Sequence, residues 1–205
     1  MKKQKKSMLG IVSVLLILVM ILTSCQTPEK LMAKGNYAEA YEKAEDSEKN
    51  KILAENVIAV LSAKSSEMLK DPSSFILRDA YYRTWYNTEK DIFGQQAVLY
   101  ITGTNSYGAA VSSYWAWQYD YKTDSWYFLD TIDSTTDEDD DDINTMMAKA
   151  VLKYSLEYET VIKLDKAQVK NINAQFEADT LDSVEFIKKH NIDMSLLPYP
   201  EHSNK

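Results

Sequence analysis

Hydrophobic and polar positions change period several times along this chain, and each change marks a predicted element. Residues 31–44 read as a helical turn, a Gly35-Asn36 break, and a helix carrying Tyr37, Ala40, Tyr41 and Ala44 on one stripe. Residues 51–69 predict a second helix. Its broad apolar face is Ile52, Leu53, Val57, Val60, Leu61 and Met68, and its wet face Lys49, Glu55, Lys64, Glu67 and Lys70. Pro72 ends it, because proline disfavours helical geometry at Asp71 and donates no backbone hydrogen bond. At Phe75 the period drops from 3.6 to 2. Residues 75–86 and 95–102 read as strands joined by a charged connection, and 103–108 as a turn of hairpin length. The strand at 109–121 sets Val111, Ser113, Trp115, Trp117, Tyr119 and Tyr121 on one side. After a tight loop, 126–132 alternates Trp126, Phe128 and Asp130 with Tyr127, Leu129 and Thr131.

Six consecutive acids, Asp137 to Asp142, interrupt this pattern. Residues 143–162 return to helical period, with Met146, Met147, Ala150, Val151, Tyr154 and Tyr158 as the stripe to be buried. Beyond them 169–176 reads as a short strand, 180–190 as a helix capped by Thr180, and 198–205 as a frayed tail. The expected fold is α+β: an N-terminal helical pair on one side of an antiparallel meander of about four strands, with a further helix after the acidic loop. A single domain over 31–197 accommodates all of it.

The first 24 residues stand apart. Lys2, Lys3, Lys5 and Lys6 precede an apolar run over 8–22, then Leu22-Thr23-Ser24-Cys25. A basic start, an apolar core of about fifteen residues and a small-residue cleavage site describe a secretory signal peptide. The run is short for crossing a bilayer, which takes about 20 apolar residues. Leu-Thr-Ser-Cys resembles the bacterial lipobox, and Cys25 is the one cysteine in the chain. The resemblance implies cleavage before Cys25, a diacylglyceryl thioether on its sulfur, and residues 26–30 as a short tether. The protein is then held on the extracellular side of the cell membrane, with membrane lipid as its first partner.

Charge narrows the partners further. Removing the four leader lysines from 23 basic residues against 31 acidic ones leaves the remainder near −12. Such a surface argues against nucleic acid, whose phosphates demand lysine and arginine. Only 5 glycines leave little room for a Rossmann or P-loop motif. One cysteine, spent on lipid, permits no internal disulfide.

Leu69-Lys70-Asp71-Pro72-Ser73-Ser74-Phe75, followed by Asn105-Ser106-Tyr107-Gly108, resembles small uncharacterised lipoproteins of low-GC Gram-positive bacteria. That family carries no established activity. Each motif also serves a turn: Asp71 or Ser73 as an acceptor for free backbone N–H groups, Gly108 as a left-handed position. No nucleophile–base pair is visible, since His190 and His202 both fall near the C-terminal end. Asp139, Asp140, Asp141 and Asp142 are weak candidates for a hard cation, lacking the glycine and terminal glutamate of a calcium loop. A charge run of this kind is expected to be a solvated loop.

Tryptophans at strand period are expected to fill the space beneath a helix; if a groove exists, Tyr82, Trp85, Tyr86, Asn105 and Tyr107 form the candidate ligand surface. The chain therefore reads as a lipid-anchored, non-catalytic accessory or binding protein without a cofactor, working beside membrane proteins or wall polymer. A structural envelope protein and a carboxylate-dependent hydrolase of wall glycan are the alternatives.

Overall fold

The structure, a computed structural model, describes residues 27–87, 92–104, 107–120, 123, 125–132, 148–153 and 161–178. The first helix, α1 (Pro28–Met32), opens with proline in its first turn, where no N–H bond is forfeited. It therefore begins inside the stretch expected to be tether. Gly35, at φ +75°, stops it. Gly35 N donates to Met32 O at 2.8 Å and Asn36 N to Leu31 O at 2.9 Å, the bond pattern of a Schellman end. Helix α2 (Tyr37–Lys43) follows, burying Tyr37 and Ala40 as its stripe predicts.

Helix α3 (Asp46–Met68) is longer than expected and enclosed on more than one face, with every residue from Ile52 to Ala63 buried. Two sequence expectations are corrected here. Met68, assigned to the apolar face, is 49% exposed, while Glu55, assigned to the wet face, is fully buried.

A short 3-10 turn (Pro72–Ser74) carries the chain into the sheet. Asp71 Oδ1 accepts from Ser73 N at 3.1 Å and Ser73 Oγ at 2.6 Å, and Ser74 Oγ accepts from Thr104 N at 2.8 Å. The Asp-Pro-Ser-Ser motif is thus a turn lock. Strands β1 (Ile76–Asn87), β2 (Ile92–Thr104), β3 (Ala110–Asp120) and β4 (Ser125–Ile132) form the expected antiparallel meander. A fifth strand, β5 (Ile162–Lys163), adds to the free edge of β1 and makes the order β4-β3-β2-β1-β5.

Both faces of the sheet are covered, not one. Leu77, Ala80, Tyr82, Ala97, Leu99, Ile101, Trp115 and Trp117 pack with the helices into the larger core. Tyr81, Val98 and Ala116, on the opposite face, join Leu129 and Ile132 against Ala148 and Val151 of a helical stretch at 148–153. That stretch buries Ala148 and Val151 while Ala150 is exposed, so the expected stripe is rotated. A register shift opposite Ala116–Trp117 places Leu129 out of step, so Asp130 does not continue the Trp126–Phe128 face.

Residues 169–176 are corrected from strand to helix. Helix α4 (Lys166–Ala178) sets Val169, Ile172 and Phe176 toward the larger core. Its start is a capping box: Asp165 Oδ1 accepts from Ala167 N and Gln168 N, each at 2.9 Å, and Gln168 Oε1 accepts from Asp165 N at 3.0 Å. Asn173 fixes α4 to the sheet. Its Nδ2 donates to Leu77 O at 2.9 Å and its Oδ1 accepts from Leu77 N at 3.0 Å, as a neighbouring strand would. Asn173→Ala leaves both groups short of a partner and should cost about 1–3 kcal/mol in urea unfolding. An unchanged midpoint would show that water replaces the amide at no cost.

Residues 1–24, expected to be a signal peptide, together with Cys25, the acidic run and residues 179–205, His190 and His202 among them, lie outside the described residues. Among the described residues no helix is long and apolar enough to cross a membrane.

Candidate functional site

The aromatic surface resolves into core and tip. Tyr82 is corrected from ligand surface to interior: it is 2% exposed, and its hydroxyl donates to Gln95 Oε1 at 2.7 Å. Trp115 and Trp117 are core residues, flanking Phe128 with ring centroids 5.2 and 5.4 Å from it. Val111, on the same side of β3, is exposed. Tyr107 stands at the β2–β3 turn, 95% exposed, beside Gly108 at φ +82°. Asn105 and the side chains of Trp85 and Tyr86 lie outside the described residues. Tyr82 and Tyr107 therefore share no surface.

Two concavities that the sequence did not suggest meet at the start of α4. The smaller, about 210 Å³, lies between α1, α3 and α4 and has Pro28, Lys51, Ile52, Glu55, Asp165 and Gln168 in its wall. Glu55 sits at its inner end. Gln168 Nε2 donates to Glu55 Oε2 at 2.8 Å and the Tyr37 hydroxyl to Oε1 at 3.4 Å. Behind them, Gln175 Nε2 donates to the same hydroxyl at 3.1 Å and to Met32 O at 3.2 Å. Burial pushes the Glu55 carboxyl up to about 7; its two hydrogen bonds and Lys51 pull the other way, and Asp165 adds to the rise. The Tyr37 hydroxyl is also raised, by burial first and by the Glu55 charge second. This network ties α2, α3 and α4 together through three polar side chains and one carboxyl.

The larger concavity is a groove of about 710 Å³ between α4 and the β1–β5 edge. Arg78, Lys163, Lys166 and Lys170 line it along with two acids, Asp79 and Asp165. Both acids are engaged. Lys163 Nζ lies 2.6 Å from Asp79 Oδ2 and donates to the Tyr81 hydroxyl at 3.2 Å, contacts that raise its pKa. Asp165 caps α4, and the N–H groups it accepts hold its carboxyl below the usual range. Arg78 stands at the register shift between Leu77 and Asp79, a bulge that takes it out of the ladder. Asp165 belongs to both walls, so the two concavities adjoin.

Among the described residues no three His, Cys, Asp or Glu side chains are grouped to hold a metal ion. Compared with known proteins, the chain matches no family model, no curated protein sequence and no solved structure.

Proposed function

We propose that this is a lipid-anchored protein of the extracellular membrane face, with a non-catalytic binding or accessory role. One observation carries it: the lipobox-like Leu-Thr-Ser-Cys lies immediately before a helix that is part of the domain. Only Gln26 and Thr27 separate Cys25 from Pro28, and Leu31 and Met32 are already in the core. Three extended residues span at most about 11 Å, so an acylated Cys25 keeps the domain against the lipid surface. Each buried methylene of the acyl chains contributes roughly 0.8 kcal/mol to that attachment. A domain so placed suits membrane proteins or nearby wall polymer as partners.

The non-catalytic half is supported by the state of the groove carboxylates. A glycosidase acid needs a raised pKa beside the scissile bond. Asp165 is held low and Asp79 is paired with Lys163, while Glu55, which is raised, is bonded inside the core.

Cys25→Ala should abolish incorporation of radiolabelled palmitate in cells and leave uncut precursor or a released form. Labelling that survives the substitution would end the lipoprotein reading.

A further inference from the structure

We propose that the α1–α2 hairpin, residues 28–43, is a pH-gated tether: it undocks when the Glu55 carboxyl ionises and so lengthens the link between domain and membrane. The latch stands on the structure alone, while its consequence for reach rests on the anchor proposed above.

The hairpin is held more lightly than the elements around it. Its helices have 5 and 7 residues, too short to persist alone, and neither has a side-chain N-cap. It rests on α3 and not on the sheet, burying Leu31, Met32, Tyr37 and Ala40. A chain of polar bonds joins it to α3 and α4. The Tyr37 hydroxyl donates to Glu55 Oε1 at 3.4 Å, and Gln175 Nε2 donates to that hydroxyl at 3.1 Å and to Met32 O at 3.2 Å. Gln175 Oε1, on the same amide, is buried and accepts no hydrogen bond among the described residues. The docked state therefore carries a cost that water would remove.

Glu55 is the gate because its enclosed carboxyl lacks a cation of its own. Oε2 accepts from Gln168 Nε2 at 2.8 Å, and the long Tyr37 bond reaches Oε1. Two neutral donors do not replace the hydration of a charge. The groups that face it offset one another. Glu29 comes from α1, Tyr37 from α2, Glu48 and Lys51 from α3, and Asp165 from α4, and the sheet adds none to the cavity wall. Lys51, the one cation in that wall, lies 3.5 Å from Asp165 Oδ2. Burial is the main cause of the raised carboxyl value, about 7 against 4.5. A docked hairpin thus keeps a proton that an undocked one releases, and undocking becomes more favourable as pH rises through that window. Lifting α1 and α2 admits water to the carboxyl, because Pro28 and Met32 wall the cavity at whose inner end it sits. The Asp71 lock and the Asn173 clamp lie elsewhere and stay closed.

Reach changes with the latch. Docked, the domain hangs close to the lipid on the few residues before Pro28. Undocked, α1 and α2 lose their helical form, and about twenty residues before α3 extend at most about 70 Å. The same domain then works either at the lipid surface or well beyond it.

Hydrogen exchange on the full chain carrying Cys25→Ala, in uncharged detergent, tests the latch whatever becomes of the lipid. From pH 5 to pH 8.5, protection of residues 28–43 relative to the unstructured rate should fall by up to about tenfold per pH unit and level off above about 7. Strands β2 and β3 are the reference and should keep their protection. Glu55→Gln should remove the slope; the slope is compared, not the absolute protection, since glutamine also alters the Tyr37 bond. An equal slope in β2 and β3 would make the event an unfolding of the whole domain and overturn the latch. A flat hairpin profile, or a slope that survives in Glu55→Gln, would remove Glu55 as the gate. For reach, the acylated wild-type chain is placed in phosphatidylcholine vesicles bearing dansyl headgroups, which accept energy from Trp115, Trp117 and Trp126 of the sheet. Transfer should fall as pH rises and hold steady in Glu55→Gln. Hairpin opening with unchanged transfer would overturn the longer reach.

Discussion

Phe75→Ala is expected to destabilise the domain by about 3–5 kcal/mol, the range for truncating a buried aromatic ring. Phe75 is 8% exposed and occupies the step from the 3-10 turn into β1. Its ring centroid lies 5.4 Å from that of Phe176 on α4, at an interplanar angle of 37°. Truncation leaves a void between the sheet and the last turns of α4, and the Asp71 lock below it restricts collapse around the void. Against a total of about 5–15 kcal/mol, such a loss is a large fraction of the stability. Urea unfolding at constant m-value measures it. Phe75→Leu, which keeps most of the volume, should recover the larger part. A loss under about 1 kcal/mol for Phe75→Ala would place the ring outside the packing that joins α4 to the sheet.

Glu55→Gln is expected to make the domain more stable at pH 8 and to remove a pH dependence. The carboxyl has an ordinary value of 4.5 and stands at about 7 in the fold, burial being the main cause. Between those values the folded protein holds a proton that the unfolded chain has released. Stability is therefore highest below about 4.5 for this group, falls as pH rises through the window, and is lowest above about 7. The separation corresponds to roughly 3 kcal/mol. Glutamine keeps an acceptor for Gln168 Nε2 and removes the buried charge; beside Tyr37 it exchanges the acceptor Oε1 for an amide donor, so the 3.4 Å bond from that hydroxyl is the one contact it alters. Other titrating groups near the cavity, among them Glu29, Glu48, Lys51 and Asp165, are common to both proteins and cancel in the difference. Chemical denaturation from pH 4.5 to 8.5 should give a wild-type curve that drops below the variant with rising pH. A difference that is flat across the window, or that grows toward acid, would show that the carboxyl is solvated.

Local patterns carried the β-meander and failed at the chain's later elements. Alternation from Phe75 onward placed four strands, because a strand with a covered face must repeat its apolar residues every second position. It did not reveal the second covered face. Small or apolar residues at Val98 and Ala116 mark burial on both sides, and they were available to be read. The α4 helix also had signals. Asp165 and Gln168 have the spacing of a capping box, and Val169, Ile172 and Phe176 repeat at three and four. Val and Ile among polar residues drew the strand reading instead.

The sequence by itself determined the α+β class, the strand order from β1 to β4, the turn lock at Asp71 and the left-handed position at Gly108. These depend on neighbours within a few residues or on simple periodicity, so they are written locally. Burial of Glu55, the engagement of Asp79 and Asp165, and the clamp of Asn173 on Leu77 were decided only by tertiary structure. Gln168 reaches Glu55 from 113 residues away, and Asn173 reaches Leu77 from 96. A glutamate on a helix carries no mark of being enclosed until another helix closes over it, and an asparagine carries no mark of completing a strand's backbone bonds until helix and strand meet.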